Sequence, residues 1–220
     1  MRELNVCVTT HGRVLIDDPP ASGPLKLLVG FHGYAQNADE MMAMLRGIRD
    51  ASGWTLVSIQ ALHRFYRGPS ETTVASWMTR QDRDVLIADN VGYVNAALEG
   101  VAADRSIERL AYCGFSQGVA MAFRAAVLGA RKAEVVLALG GDVPPELLAD
   151  PGAAFPRVLL ARGTRDGYYT DEKLRADDTA LSARGAKVET LTFDGGHEWH
   201  ADFGARATET LRHVECDSRQ

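Results

Sequence analysis

Five residues near the middle of the chain constrain its fold more than any other stretch: Gly114-Phe115-Ser116-Gln117-Gly118. They follow an apolar run over residues 110–113 and precede another over 119–123, a pattern that predicts a strand, a sharp turn and a helix. Small residues two positions before and two after the serine leave room for the backbone at such a turn. The sequence therefore predicts that the Ser116 hydroxyl points away from a sheet. The alternative is a glycine-bracketed loop serine without chemistry.

Apolar runs and amphipathic segments alternate along the rest of the chain. Further strands are predicted at residues 25–31, 55–59, 135–139, 158–161 and 188–193. Helices are predicted after Asn37, which can form a capping box with Glu40, and over 82–103, 171–183 and 200–214. This alternation predicts an α/β fold in which a mostly parallel central sheet carries helices on both faces.

Two segments depart from the alternation. Residues 4–8 and 13–16 are β-rich and predict a hairpin at the start. The aromatic stretch from Gln60 to Met78 is predicted to be a long irregular loop with a function. At 220 residues we expect one domain over 1–220, and no insertion is long enough for a separate cap domain.

Composition narrows the class of partner and compartment. The formal charge of −5 and the pI near 5.7 argue against nucleic acid, which requires clustered basic residues. No apolar run approaches the length of a membrane span. Cys7, Cys113 and Cys216 are an odd, widely spaced set, which favours reduced thiols and a cytoplasmic protein. Cys113 is predicted to be a small core residue rather than a nucleophile.

Two more polar side chains follow predicted strands. Asp166 lies in Gly163-Thr164-Arg165-Asp166-Gly167, directly after the strand at 158–161, and His197 follows two glycines after the strand at 188–193. A serine hydroxyl needs a histidine base, which a carboxylate in turn orients. The carboxyl ends of parallel strands face one crevice, so we expect Ser116, His197 and Asp166 to meet there as nucleophile, base and acid.

Each partner has a rival in the sequence. Asp142 is the rival acid, disfavoured because two prolines constrain the turn that follows it. His200 is the rival base, disfavoured because it is predicted to lie inside the last helix. The two histidines lack a third ligand in pattern, so neither a metal nor another cofactor is expected.

The chain resembles the phospholipase/carboxylesterase family of α/β-hydrolases, which includes bacterial carboxylesterases and acyl-protein thioesterases. The order Ser116, Asp166, His197 is the order of that fold. The landmarks run in family order over nearly the whole chain: Phe31-His32-Gly33, Ser76-Trp77, the serine turn, Gly140-Gly141 before Val143-Pro144, Gly163-Thr164-Arg165-Asp166 and Gly196-His197. The resemblance implies an α/β-hydrolase fold and the three catalytic roles just given.

Two backbone amides are expected to hold the oxyanion of an acyl-transfer reaction. In this fold they come from the residue after the nucleophile, here Gln117, and from the loop after an early strand, here Tyr34. We therefore expect a cofactor-free serine carboxylesterase acting on a small-molecule ester through an acyl-enzyme. Thioesterase or lysophospholipase activity, or a non-catalytic binding role, are the alternatives, and a homodimer is left open.

The substrate pocket is expected to be shallow and built from loops, which favours short to medium acyl chains. Phe65, Tyr66, Trp77 and Met78 are the predicted lining residues. The alternative for each is a place in the core of the long loop. Val119 stands where the thioesterases usually carry a further glycine, which favours a general esterase.

Overall fold

A computed structural model describes residues 1–20, 23–48 and 53–217. The strands of the main sheet are β1 Arg13–Asp17, β2 Leu25–Phe31, β3 Thr55–Gln60, β6 Ile107–Phe115, β7 Val135–Leu139, β8 Arg157–Gly163 and β9 Val188–Phe193. A separate two-stranded sheet holds β4 His63–Tyr66 and β5 Thr73–Ser76. The helices are α1 Ala38–Arg46, α2 Arg83–Val101, α3 Gln117–Leu128, α4 Pro145–Ala149, α5 Asp171–Ala183 and α6 Ala201–Asp217.

The main sheet has seven strands in the order β1-β3-β2-β6-β7-β8-β9. Only the edge strand β1 runs antiparallel to its neighbour, β3, and every other pairing is parallel. The predicted mostly parallel sheet is therefore confirmed.

Each face of the sheet carries its own hydrophobic core. Side chains alternate between faces along a strand, so Leu27 and Val29 of β2 belong to the core that includes residues of α2, α3 and α5, while Leu28 belongs to the core that includes residues of α1 and α6. Cys113 lies fully buried in the second core, and burial raises the pKa of its thiol. These two cores confirm the prediction of helices on both faces.

The predicted start of α1 is also confirmed. Asn37 accepts a hydrogen bond from the Glu40 amide, and the Glu40 carboxylate accepts one from the Asn37 amide. Both halves of the capping box are therefore formed, and each satisfies a backbone donor that the first turn leaves free.

The hairpin predicted at the start is wrong. Residues 4–8 form no strand, and Leu4, Val6 and Val8 are exposed. Only β1 forms, because it pairs with β3 at the sheet edge while the β-rich residues before it find no partner strand. The prediction of an irregular loop from Gln60 to Met78 is also wrong in part, since β4 and β5 form an antiparallel hairpin within it.

The carboxyl ends of the parallel strands lie along one edge of the sheet. His32 follows β2, Ser116 follows β6, Gly140 follows β7, Asp166 follows β8 and His197 follows β9. The fold thus brings residues from five separate parts of the chain to that edge, where sheets of this kind form their crevice.

Candidate active site

Ser116 lies in a backbone conformation that side chains rarely adopt. Its φ is +53°, in the turn between β6 and α3. A Cβ on Gly118 would lie 1.9 Å from the carbonyl oxygen of Phe31, and one on Gly114 would lie 2.6 Å from the backbone of Val119. Only glycine fits at either position, so the spacing read from the sequence has a steric cause.

The Ser116 hydroxyl donates to His197, which in turn donates to Asp166. Ser116 Oγ lies 2.9 Å from His197 Nε2, and His197 Nδ1 lies 2.8 Å from Asp166 Oδ2. The tautomer with the proton on Nδ1 satisfies both contacts. The imidazole packs against the rings of Phe115 and Tyr168, at centroid distances of 5.2 and 4.9 Å.

The Asp166 carboxylate is almost fully buried and fully hydrogen-bonded. Its Oδ1 accepts from the amides of Tyr168 and Tyr169, at 2.8 and 2.9 Å, while Oδ2 faces the histidine. Burial acts to raise the pKa of Asp166, but the hydrogen bonds from His197 and the two amides outweigh it and hold the pKa below its usual value. The carboxylate is therefore ionised at neutral pH and able to orient an imidazole.

The rivals considered in the sequence lie elsewhere. Asp142 is exposed and forms an ion pair with Lys173 at 3.2 Å. His200 stands just before α6, where its Nδ1 accepts from the Asp202 amide and its ring stacks on Phe193 at 4.4 Å. Neither side chain contacts the serine in the described part of the chain.

The loop after β2 approaches Ser116 closely. A Cβ on Gly33 would lie 3.3 Å from Ser116 Cβ. The Gly33 amide donates to Gln36 Oε1 at 2.7 Å, so it is not available to a ligand. Within the described residues, no hydrogen bond is formed by the amides of Tyr34 or Gln117, the two predicted oxyanion donors.

The β4–β5 hairpin braces this loop from outside. The Ala35 amide donates to Ala75 O at 3.1 Å, and the Ala75 amide donates to Gln36 O at 2.8 Å. The Arg67 guanidinium donates to Ala35 O at 2.6 Å. Ala35 itself has a φ of +55°, so the loop is held in a conformation that it would not keep alone.

A buried histidine supports the same loop from below. His32 Nδ1 donates to Gly33 O at 2.7 Å, and its Nε2 accepts from the Ala61 amide at 3.1 Å. Burial lowers the pKa of His32, which agrees with the neutral ring that these contacts require. Trp77 Nε1 donates to the His32 carbonyl at 2.9 Å.

A cleft of about 350 Å³ opens beside Ser116. Its wall includes Trp77 and Met78, although Trp77 is almost fully buried. Phe65 and Tyr66 lie outside the cleft wall, on the hairpin strand β4, where Phe65 faces the Tyr34 ring at 5.7 Å. The aromatic residues of the predicted loop thus divide between the cleft and the outer brace.

Sequence reasoning missed three polar residues around the site. Gln36 accepts the hydrogen bond of the Gly33 amide. Asp177 accepts from the Val143 amide and from the Tyr169 hydroxyl, which ties two strand-end loops to α5. Arg124 lies in the cleft wall despite its apolar helix. A charged residue within the apolar stretch of α3 was the one available signal.

No three His, Cys, Asp or Glu side chains are grouped so as to hold a metal ion in the described part of the chain. None of its helices combines the length and apolar character that crossing a membrane requires. Cys7 and Cys113 are free thiols, while the side chain of Cys216 lies outside the described residues.

Comparison with solved structures identifies the fold as that of the α/β-hydrolases. The chain is similar to esterase PE8, with a TM-score of 0.72 and 22% identity over 93% of this chain and 100% of that one. It is similar to the Bacillus cereus carboxylesterase, with a TM-score of 0.72 and 15% identity over 92% of this chain and 94% of that one. It is also similar to Zea mays acyl-protein thioesterase 2, with a TM-score of 0.70 and 17% identity over 93% of this chain and 99% of that one. No protein-family model and no curated protein matches the sequence.

Proposed function

We propose that the protein is a serine hydrolase that cleaves carboxylic esters through an acyl-enzyme. The observation that carries this proposal is the chain of hydrogen bonds from Ser116 through His197 to Asp166, at 2.9 and 2.8 Å. Hydrolases of this kind require a serine, a base and an orienting acid in that arrangement. The likeness to solved structures called esterase, carboxylesterase and thioesterase agrees with it.

In the first half of the reaction, Ser116 Oγ attacks the ester carbonyl as His197 Nε2 takes its proton. The negative charge of the tetrahedral intermediate develops on the former carbonyl oxygen. The amides of Tyr34 and Gln117 donate to that oxygen, and each such donor typically supplies about 3–4 kcal/mol. Asp166 holds the imidazole in the tautomer that accepts at Nε2 and stabilises the imidazolium.

His197 then protonates the leaving alkoxide, which departs and leaves Ser116 acylated. A water molecule loses its proton to the same imidazole and attacks the acyl carbon. Collapse of the second tetrahedral intermediate releases the acid and returns the proton to Ser116. No cofactor takes part in any of these steps.

The cleft favours short substrates over long acyl chains. Its volume of about 350 Å³ is near the lower limit of ordinary ligand pockets, and charged side chains line it beside the apolar ones. A thioester would react through the same three residues. We rank the oxygen ester first because a short, partly polar cleft offers little apolar surface to the long acyl group of a lipidated protein or a lysolipid.

The proposal is tested with p-nitrophenyl acetate and butyrate. The wild-type protein is expected to hydrolyse both, and Ser116→Ala is expected to abolish turnover. Ser182→Ala, which changes an exposed serine on α5, is the matched control. A fluorophosphonate probe should label the wild type and the control but not Ser116→Ala. Labelling at another residue would overturn Ser116 as the nucleophile, and no labelling would overturn the proposal and favour a non-catalytic binding protein.

We also propose a cytoplasmic location and one domain over 1–220. The odd, widely spaced cysteines support the first, because such sets are uncommon where disulfides form. The single seven-stranded sheet with a core on each face supports the second.

A further inference from the structure

One face of α3 forms the floor of the cleft. Gln117, Ala120 and Arg124 all line it, and their spacing of three and four residues puts them on one side of the helix. Ser116 stands at the start of this helix, and Arg124 lies eight residues further on, about 12 Å along the axis. The Arg124 guanidinium contacts Met78, which lines the same cleft as Ser116.

Arg124 is buried to an unusual degree for a charged residue. Its side chain is 4% exposed, whereas arginine is seldom fully buried unless it is paired. Its partner is Glu146 on α4, which accepts from Arg124 Nε at 2.9 Å. The same carboxylate also accepts from Arg83 at 2.9 Å. Two guanidinium groups thus share one carboxylate, which leaves one positive charge uncompensated in this cluster.

Part of the Arg124 guanidinium lacks a strong acceptor. Nε and one terminal nitrogen face Glu146, whereas the other terminal nitrogen has Met78 Sδ, at 3.5 Å, as its one hydrogen-bond partner among the described residues. A thioether is a weak acceptor, and a buried N–H without a good partner is costly. Met78 and Arg83 both line the cleft, so this nitrogen lies at its boundary.

The other charged pair in the cleft does not offset the positive charge of the two arginines. Lys173 and Asp142 form an ion pair with each other at 3.2 Å, so together they are neutral. The cleft therefore joins a nucleophile at one end to an excess of positive charge at the other.

We propose that the preferred substrate is an ester that carries a second, anionic group, which binds Arg124 with help from Arg83. This inference rests on the proposed ester hydrolysis and names its substrate class. A carboxylate placed a few carbon atoms from the scissile bond reaches Arg124 from Ser116. It supplies a stronger acceptor than the Met78 thioether and neutralises the excess charge.

The carboxylate can belong to either side of the ester bond, so the experiment has two arms. The acyl arm compares the monomethyl esters of succinic, glutaric and adipic acid with methyl butyrate, valerate and hexanoate. The alcohol arm compares the acetate ester of the terminal hydroxyl of γ-hydroxybutyrate with butyl acetate. Within each pair the carboxylate replaces a methyl group, and proton release measures turnover.

In one arm, kcat/KM of the anionic ester is expected to exceed that of its neutral partner by at least about tenfold, the usual effect of a charge-assisted hydrogen bond. Arg124→Gln should reduce that ratio by about the same factor, and Arg83→Gln by less. Arg131→Gln changes an exposed arginine outside the cleft and is the matched control. Equal rates for both members of every pair would overturn the inference, as would a ratio that survives Arg124→Gln.

A binding measurement keeps this inference separate from the proposed function. Glutarate should quench the tryptophan fluorescence of the Ser116→Ala protein, and the double variant with Arg124→Gln should lose this response. If Arg124→Gln does not fold, Arg83→Gln carries the same comparison. Absence of all ester hydrolysis would contradict the proposed function alone. Hydrolysis of neutral esters without glutarate binding would contradict only the anion site.

Discussion

The Gln117 side chain holds the backbone around Trp77 against the start of α3. Gln117 Oε1 accepts from the Trp77 amide at 2.9 Å, and Nε2 donates to the Met78 carbonyl at 3.1 Å. The residue that supplies a predicted oxyanion amide from its backbone thereby fixes one wall of the cleft with its side chain. Both contacts also determine which end of the side-chain amide is oxygen.

Replacing this side chain should weaken both structure and activity. Gln117→Ala keeps the backbone amide but removes the acceptor of the Trp77 amide, and an unpaired buried donor typically costs about 1–3 kcal/mol. We expect a lower Tm and a fall of about tenfold in kcat for p-nitrophenyl butyrate. Gln81→Ala, at an exposed position, should change neither. Unaltered Tm and kcat in Gln117→Ala would contradict the role given to the side chain.

Two glycines in helices should respond to alanine in opposite directions. On Gly118 a Cβ would strike the Phe31 carbonyl of a central strand, so Gly118→Ala should destabilise the fold by about 3 kcal/mol or more. Gly92 lies in α2 with open space around it, so Gly92→Ala should stabilise the fold by about 0.5–1 kcal/mol. Urea unfolding measures both changes. Equal responses would show that steric contact is not what requires glycine at 118.

Asp166→Asn should retain the fold and lose most of the activity. Asparagine can still accept from the Tyr168 and Tyr169 amides, but its NH2 group would face His197 Nδ1. The imidazole would then carry its proton on Nε2, where it cannot accept from Ser116. In comparable triads this exchange lowers kcat about ten-thousandfold. A drop of less than about tenfold would argue against Asp166 as the orienting acid.

The same variant should change how stability depends on pH. The pKa of Asp166 is lower in the folded protein than its ordinary value of 3.8, so the ionised carboxylate contributes to the free energy of unfolding above that value. This contribution is lost as the pH falls through the folded pKa, because the unfolded chain then binds the proton more readily. Between about pH 5 and pH 2, the free energy of unfolding should fall more steeply in the wild type than in Asp166→Asn. Asp89→Asn on α2 controls for the loss of one negative charge, and parallel curves for wild type and Asp166→Asn would contradict the expectation.

Removing residues 2–8 should leave the protein nearly unchanged. Leu4, Val6 and Val8 are 71%, 69% and 81% exposed, so their loss removes little buried surface. The free energy of unfolding should change by no more than about 0.5 kcal/mol, as for other exposed positions. Turnover of p-nitrophenyl butyrate should also persist. A fall of several degrees in Tm would show that this segment packs against the domain.

The sequence alone predicts the features that depend on local steric contact and on the periodicity of apolar residues. The two glycines around Ser116 indicate a close backbone contact. The alternation of apolar runs and amphipathic segments indicates the sheet and helix layers of the fold. Asp166 and His197 could be named because each directly follows a strand, and the loops that leave parallel strands lie at one edge of the sheet. Turn chemistry favours Asp166 over Asp142 as the orienting acid, and in the structure Asp166 contacts His197 whereas Asp142 pairs with Lys173.

The features that the sequence did not predict depend on which distant segments of the chain pack together. Residues 4–8 have the composition of a strand, yet a strand forms only where it pairs with a neighbouring backbone, and in the described residues β1 pairs with β3 alone. Phe65 and Tyr66 look like pocket residues because they are aromatic, but the hairpin turns that part of the chain into a brace for the Tyr34 loop. Composition carries no information about which surface a loop covers.

Arg124 illustrates the division most clearly. The sequence determines that it belongs to an apolar helix and shares a face with Gln117 and Ala120. Only the tertiary structure decides that this face borders a cleft, and that Glu146 and Arg83 from other helices surround the guanidinium. The physical reason is that a helical period fixes a direction relative to the helix axis, whereas burial and charge balance depend on which other segments the fold packs on that side.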